Sequence, residues 1–150
     1  MAELNEKQIL DKLFKAGDDD SIPKRKVTIE RIGLSFLMSG LREGKIEQLE
    51  RRFTTTTKIR GREETHLDEK RFNRAIVAEA TLAIGDNPNV RFNHPELLRK
   101  YKASGPEAVV KKVLLAGEIA QLADVVLDLS GYYDTAKEDE EIKNSLPNED

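Results

Sequence analysis

The sequence predicts a mainly α protein: one compact helical domain over residues 1–133, with room for a small two-stranded β element in its N-terminal half, and an acidic, disordered tail over 134–150. Three observations point there. Apolar residues recur at spacings of three and four through most of the chain, with capping residues at several starts. Charged residues make up 35% of the chain and aromatic residues 5%, with no Trp, a balance closer to a small helical domain than to an aromatic-rich β-sandwich. Strand-like, β-branched runs are few and short.

The first helix carries both start and stop signals. Asn5 can cap it, Gln8 can return the bond three residues on, and Leu4 and Ile9 occupy the hydrophobic-staple positions. Ile9, Leu10, Leu13 and Phe14 share a face, and Gly17 followed by Asp18-Asp19-Asp20 ends it. Gly17 to Pro23 is a loop. Lys26-Val27-Thr28-Ile29-Glu30 alternates polar and β-branched residues, as a half-buried strand does. Phe36, Leu37, Leu41, Ile46, Leu49 and Phe53 predict helix from Leu34 to Phe53, weakened at Gly40 and Gly44, each of which costs about 1 kcal/mol relative to Ala. The Thr-rich run from Thr54 to Arg60 reads as a short strand able to pair with the first.

From Asp68 the pattern is helical again. Asp68 is the cap, and Phe72, Ala75, Ile76, Ala80 and Ala83 share a face until Gly85-Asp86-Asn87-Pro88-Asn89 turns the chain. Pro95 to Tyr101 is a short helix with Pro in its first turn, and Ser104-Gly105-Pro106-Glu107 opens another with Val109, Val110, Val113 and Leu114 as its stripe. In the last helix Leu115, Ile119, Leu122, Val126 and Leu129 follow the intervals of a heptad, and Gly131 suits a left-handed cap. About two heptads are too few for a free-standing coiled coil, so this seam must bury against its own domain or a partner.

Motifs for chemistry are missing. With no Cys, disulfide frameworks, zinc–thiolate sites and thiol nucleophiles are excluded. His66 and His94 stand far apart in loop-like contexts without metal-ligand spacing, and read as surface histidines. An EF-hand register starting at Asp18 fails, because Ile22 and Pro23 fall where an acidic or amide side chain and then Gly are required. No nucleophile elbow, phosphate-binding loop or dinucleotide fingerprint occurs. The expectation is a protein without catalytic residues, cofactor or metal.

Seven acidic residues and two lysines give residues 134–150 a net charge of −5, which leaves +2 for the rest of a chain of net charge −3. A near-neutral body carries no footprint for nucleic acid. The N-terminal residues are acidic and polar, unlike a signal peptide, and no window approaches the roughly eighteen apolar residues of a membrane span. The chain is expected to stay in the cytoplasm where it is made. Lys24-Arg25-Lys26 and Arg51-Arg52 support one alternative, a small DNA-binding regulator whose affinity for duplex would fall steeply with salt. A solvated strand edge and helix end explain the same groups more simply.

An ordered set of segments adds a resemblance. Phe72-Asn73-Arg74-Ala75-Ile76-Val77, Asn87-Pro88-Asn89, His94-Pro95-Glu96-Leu97-Leu98, Gly105-Pro106-Glu107, Lys112 to Leu122 and Leu129-Ser130-Gly131-Tyr132 together resemble the phage XkdN-like tail assembly chaperones, over Val27 to Tyr133. Members often have Pro where this chain has Ala116, which implies a helix break at Ala116-Gly117. The Thr-rich segment and the Arg-rich loop after it match less well. The resemblance implies a non-catalytic assembly factor that coats the helical tape measure protein, recruits tail tube subunits and is absent from the finished virion. It also implies two product lengths through translational frameshifting, so a frameshift-extended form and a homo-oligomer join the expected partners. The family has no agreed functional residues to carry over. The apolar positions on the helices from Pro106 to Leu129 are the expected partner surface: Val109, Val113, Leu115, Ile119, Leu122 and Val126.

Overall fold

The helix signals place the first element where they predict it. In the computed structural model, which describes residues 3–133, α1 spans Glu6–Ala16 and Asn5 forms the expected capping box with Gln8. The acidic tail expected at 134–150 lies outside the described residues. A 3₁₀ turn at Asp19–Ser21 leads into β1 (Lys24–Ile29), β2 (Leu34–Ser39), α2 (Glu43–Arg52), β3 (Thr54–Ile59) and β4 (Arg62–Leu67). Then follow α3 (Glu69–Ala80), β5 (Thr81–Ile84), α4 (Pro95–Lys100), α5 (Pro106–Val113) and α6 (Ala116–Leu129).

A mainly α fold is therefore the wrong expectation. The described residues form six α-helices and five strands in two antiparallel sheets, an α+β architecture. Two segments account for the difference. Leu34–Ser39 is an apolar run too short for its period to separate strand from helix. What decides it is tertiary: Leu34–Ser39 pairs with Lys24–Ile29 on one side and with Thr81–Ile84 on the other, giving the order β1-β2-β5. The second segment is 81–84, which continues the helical spacing of α3 yet turns into strand at Thr81. The Thr81 hydroxyl donates to the Val77 carbonyl at 2.6 Å, and Arg91 donates to the Thr81 and Glu79 carbonyls at 2.9 and 3.3 Å. Side chains thus satisfy the carbonyls that a continuing helix would have used. The Thr-rich strand pairs with β4 rather than with β1, making a separate two-stranded sheet.

The core lies where α3 and α6 cover the three-stranded sheet, with α5 and α2 packed on α3. Phe36 of β2 stacks on Phe92 with ring centroids 6.0 Å apart, and Met38, Ile76, Val77, Val109, Val110, Leu122 and Val126 fill the space between the layers. The α6 seam is buried at home, through Leu122, Val126 and Leu129. The helix break lies at Leu114-Leu115, just before the Ala116-Gly117 position that the resemblance implies.

The end of α6 is joined to the end of β2 at very short range. Ser130 Oγ accepts from the Leu41 amide at 2.8 Å and donates to the Val126 carbonyl at 2.6 Å. A Cβ on Gly40 would collide with the Leu129 carbonyl, so only Gly fits there. Gly40→Ala should therefore destabilise the protein by about 1–3 kcal/mol, as overpacking does, read as a lower urea midpoint at unchanged slope.

Candidate functional site

Of the six apolar positions expected to face a partner, the structure brings Val109, Leu122 and Val126 together in the core, where each is at most 1% exposed. Val113 and Ile119 are half-buried and pack against that core. Leu115, at the start of α6, is 57% exposed. The C-terminal helices thus hold the body together and offer solvent one large aliphatic side chain.

The bare apolar surface is concentrated on α1. This helix buries none of its residues, although it is amphipathic. Leu4, Ile9 and Leu10 are exposed, and Leu13 and Phe14 are 62% and 66% exposed. Its substantial packing is with the 3₁₀ turn alone, while both of its ends are well satisfied. The capping box closes the N-terminus. At the C-terminus Ser21 Oγ donates to the Ala16 and Asp18 carbonyls at 3.0 and 2.7 Å, and Arg42 Nη2 reaches the same two at 3.1 Å each. A cleft of about 300 Å³ opens at this root, between Ala16, Pro23, Leu41 and Leu129. Sequence periodicity shows the α1 stripe; it carries no signal that the stripe finds no cover within the chain.

A second element projects from the body. The strands β3 and β4 join through Arg60-Gly61, both at positive φ (53° and 79°), the type I′ turn that suits the twist of a hairpin. Ile59 and Arg62 close that turn, and the Asp68 amide donates to the Phe53 carbonyl at 2.9 Å. Strand alternation therefore turns the backbone groups of Thr54, Thr56 and Lys58 outward on one edge and those of Glu63, Thr65 and Leu67 on the other. An isolated two-stranded ribbon is marginal in water, so its base needs an anchor. Phe53 supplies it: buried itself, it carries the Arg71 guanidinium 4.9 Å above its ring. Glu107 holds Arg71 at 3.3 Å and Arg74 at 3.1 Å, which ties the ribbon base and α3 to the first turn of α5. A cleft of about 260 Å³ beside this anchor has Leu49, Phe53, Ala75 and Ala78 for its floor.

The strongest electrostatic feature fastens the β1–β2 turn to the α5–α6 junction. Arg31 makes a forked contact with Glu118, at 2.9 and 2.7 Å, and also donates to the Val113 carbonyl at 3.0 Å. The Arg31 bonds, with the Leu115 amide as second donor, hold the Glu118 carboxyl down at about 2. Every partner here belongs to the chain itself. The lock is structural in its geometry, tying two turns of the chain together. Among the described residues no group of three or more His, Asp or Glu is placed to hold a metal, and no helix is long and apolar enough to cross a membrane. His94 caps α4, accepting from the Glu96 amide at 3.1 Å, and His66 lies exposed on the ribbon near Glu64.

Comparison with known proteins finds a family and relatives that cover most of the chain. The family model described as phage XkdN-like tail assembly chaperone protein matches residues 10–143. The uncharacterized protein YqbN of Bacillus subtilis (strain 168) is 32% identical over 122 residues, covering 80% of this chain and 78% of YqbN. The phage-like element PBSX protein XkdN of the same organism is 28% identical over 132 residues, 85% of each chain. The crystal structure of YqbN superposes with a TM-score of 0.52 at 25% identity, covering 73% of this chain and 85% of that one.

Two measurements check these assignments. Leu122→Ala should cost about 2–5 kcal/mol, whereas Leu13→Asp, on a helix that buries nothing, should shift stability by about 0.5 kcal/mol or less, both from urea melts. A carboxyl held below its ordinary 4.5 contributes stability above that pH and loses it as pH falls toward about 2. Glu118→Gln should therefore lower stability at neutral pH and flatten the loss of stability across that acid range, followed by circular dichroism.

Proposed function

The chain belongs to the phage XkdN-like tail assembly chaperone family, and from that membership we propose that it is a non-catalytic assembly factor acting in the host-cell cytoplasm. In this reading it binds the long, largely helical tape measure protein, brings tail tube subunits to it and leaves before the virion is complete. The observation that carries the proposal is the family match over residues 10–143, which spans both sheets and all but the first turn of α1.

Physical chemistry supports the same reading. A long protein with apolar helical faces aggregates unless those faces are shielded before the tube encloses them. A shield must present apolar surface of its own and bind with moderate strength, because polymerising tube subunits have to displace it. The exposed apolar positions suit that requirement. Each fully buried aliphatic or aromatic side chain contributes about 1.5–3 kcal/mol, and association costs about 4–15 kcal/mol, so a handful of half-bare side chains gives weak binding per copy. Several copies on one long helical protein would add up by multivalency. Leu115, with Val113 and Ile119 at its side, belongs to the proposed surface; Val109, Leu122 and Val126 support it from behind. A homo-oligomer and a frameshift-extended form of the chain complete the proposed set of partners.

Co-expression with the tape measure protein encoded in the same tail gene cluster tests the proposal. Co-purification and a rise in the soluble fraction of the tape measure protein are expected. Absence of both effects, with both proteins well expressed, would overturn the reading.

A further inference from the structure

We propose that α1 is a dedicated docking helix, and that its occupant is an amphipathic helix of a partner protein whose apolar stripe is flanked by carboxylates. The inference rests on the tail assembly reading for the identity of the partner but stands on α1 for its chemistry. Three features carry it.

The helix is prepared but uncovered. Its 11 residues fall short of the roughly 12–15 at which a lone helix becomes stable in water, even with good caps. Both ends are nevertheless satisfied by specific partners, and the apolar side is left to solvent. Packing against another surface is what such a helix lacks.

The exposed stripe has the width of a helix–helix contact. At about 100° per residue, Leu10, Leu13 and Phe14 form its centre and one side, and Ile9 and Ala16 the other. Ala16 also lines the cleft at the root, so an occupant lying along the stripe meets a continuing depression there.

The flanks select by charge. Lys7 lies beside Leu10 and Phe14, and Lys12 beside Ile9 and Ala16, one lysine on each border of the stripe. Neither has an ion-pair partner among the described residues. Asp11 and Lys15 point away from the stripe, while Glu6, one turn before Leu10, closes the stripe's N-terminal end, where the helix dipole favours an anion, so the lysine borders act on the part from Ile9 to Ala16. A stripe bordered by lysines on both sides attracts a helix bordered by Glu or Asp and repels one bordered by Lys. The same borders argue against a second copy of α1 as occupant, since pairing would bring lysine borders together.

The test uses the full chain and two synthetic amphipathic helical peptides with identical Leu stripes, one flanked by Glu and one by Lys, with binding followed by fluorescence anisotropy. The Glu-flanked peptide should bind about tenfold more tightly, with a preference that fades as salt rises. Amide exchange in α1 should slow when it binds. Leu13→Asp with Phe14→Asp should weaken binding about a hundredfold while leaving the thermal melt in place. Equal binding of the two peptides, or an unaffected double variant, overturns the proposal. So does a self-association that the double variant abolishes, which would make a second copy the occupant. Tape measure co-purification that survives in the double variant would overturn α1 docking and leave the tail assembly reading standing. Failure of the unsubstituted chain to co-purify would strike that reading instead.

Discussion

The body depends on α3 being covered on nearly every side. Ala75, Ile76, Val77, Ala78 and Ala80 are all buried, and the helix touches α2, α5, α6 and the three-stranded sheet. Small residues let those neighbours approach closely, and interiors packed to crystal-like density tolerate few voids. The rest of the architecture follows. Because α3 is spent on the interior, the chain leaving it goes directly into β5, which pairs with β2 and closes the sheet. The regular apolar seam of α6 is spent in the same way, on β1, β2 and α3.

Two elements escape this consolidation, α1 and the β3–β4 ribbon. Each is anchored at one end by polar contacts, Arg42 and Ser21 for the helix and the Phe53–Arg71–Glu107 group for the ribbon. The rest of each stands in solvent. The division suits an assembly factor, whose body must keep its shape while its contacts remain reversible. Stability comes from the interior, to which these two parts add little.

The sequence made local structure legible and pairing illegible. Caps at Asn5 and Asp68 and the first-turn Pro95 locate helix starts, because those signals act within a few residues, whereas the cap that His94 supplies carries no such signal. Leu34–Ser39 reads as helix by spacing alone, since its identity as strand depends on partners at 24–29 and 81–84, elsewhere in the chain. The Thr-rich strand is legible in its β-branched composition, but its partner β4 is not. A two-residue positive-φ turn at Arg60-Gly61 was the available clue, weakened by Arg in a position that Asn or Asp usually fills. For the surface, α1 and α6 both show apolar stripes, and periodicity cannot tell which will be covered. The more regular stripe, on α6, proved to be interior; the shorter one near the N-terminus is bare.

The ribbon has one more consequence. Its strands are exposed along almost their whole length, and its tip at Arg60-Gly61 touches nothing in the core, so length and sequence there can drift with little thermodynamic penalty. That freedom makes the tip a natural place to graft a reporter, a fluorophore or a short epitope, with which the molecule could be followed through tail morphogenesis while its interior stays undisturbed.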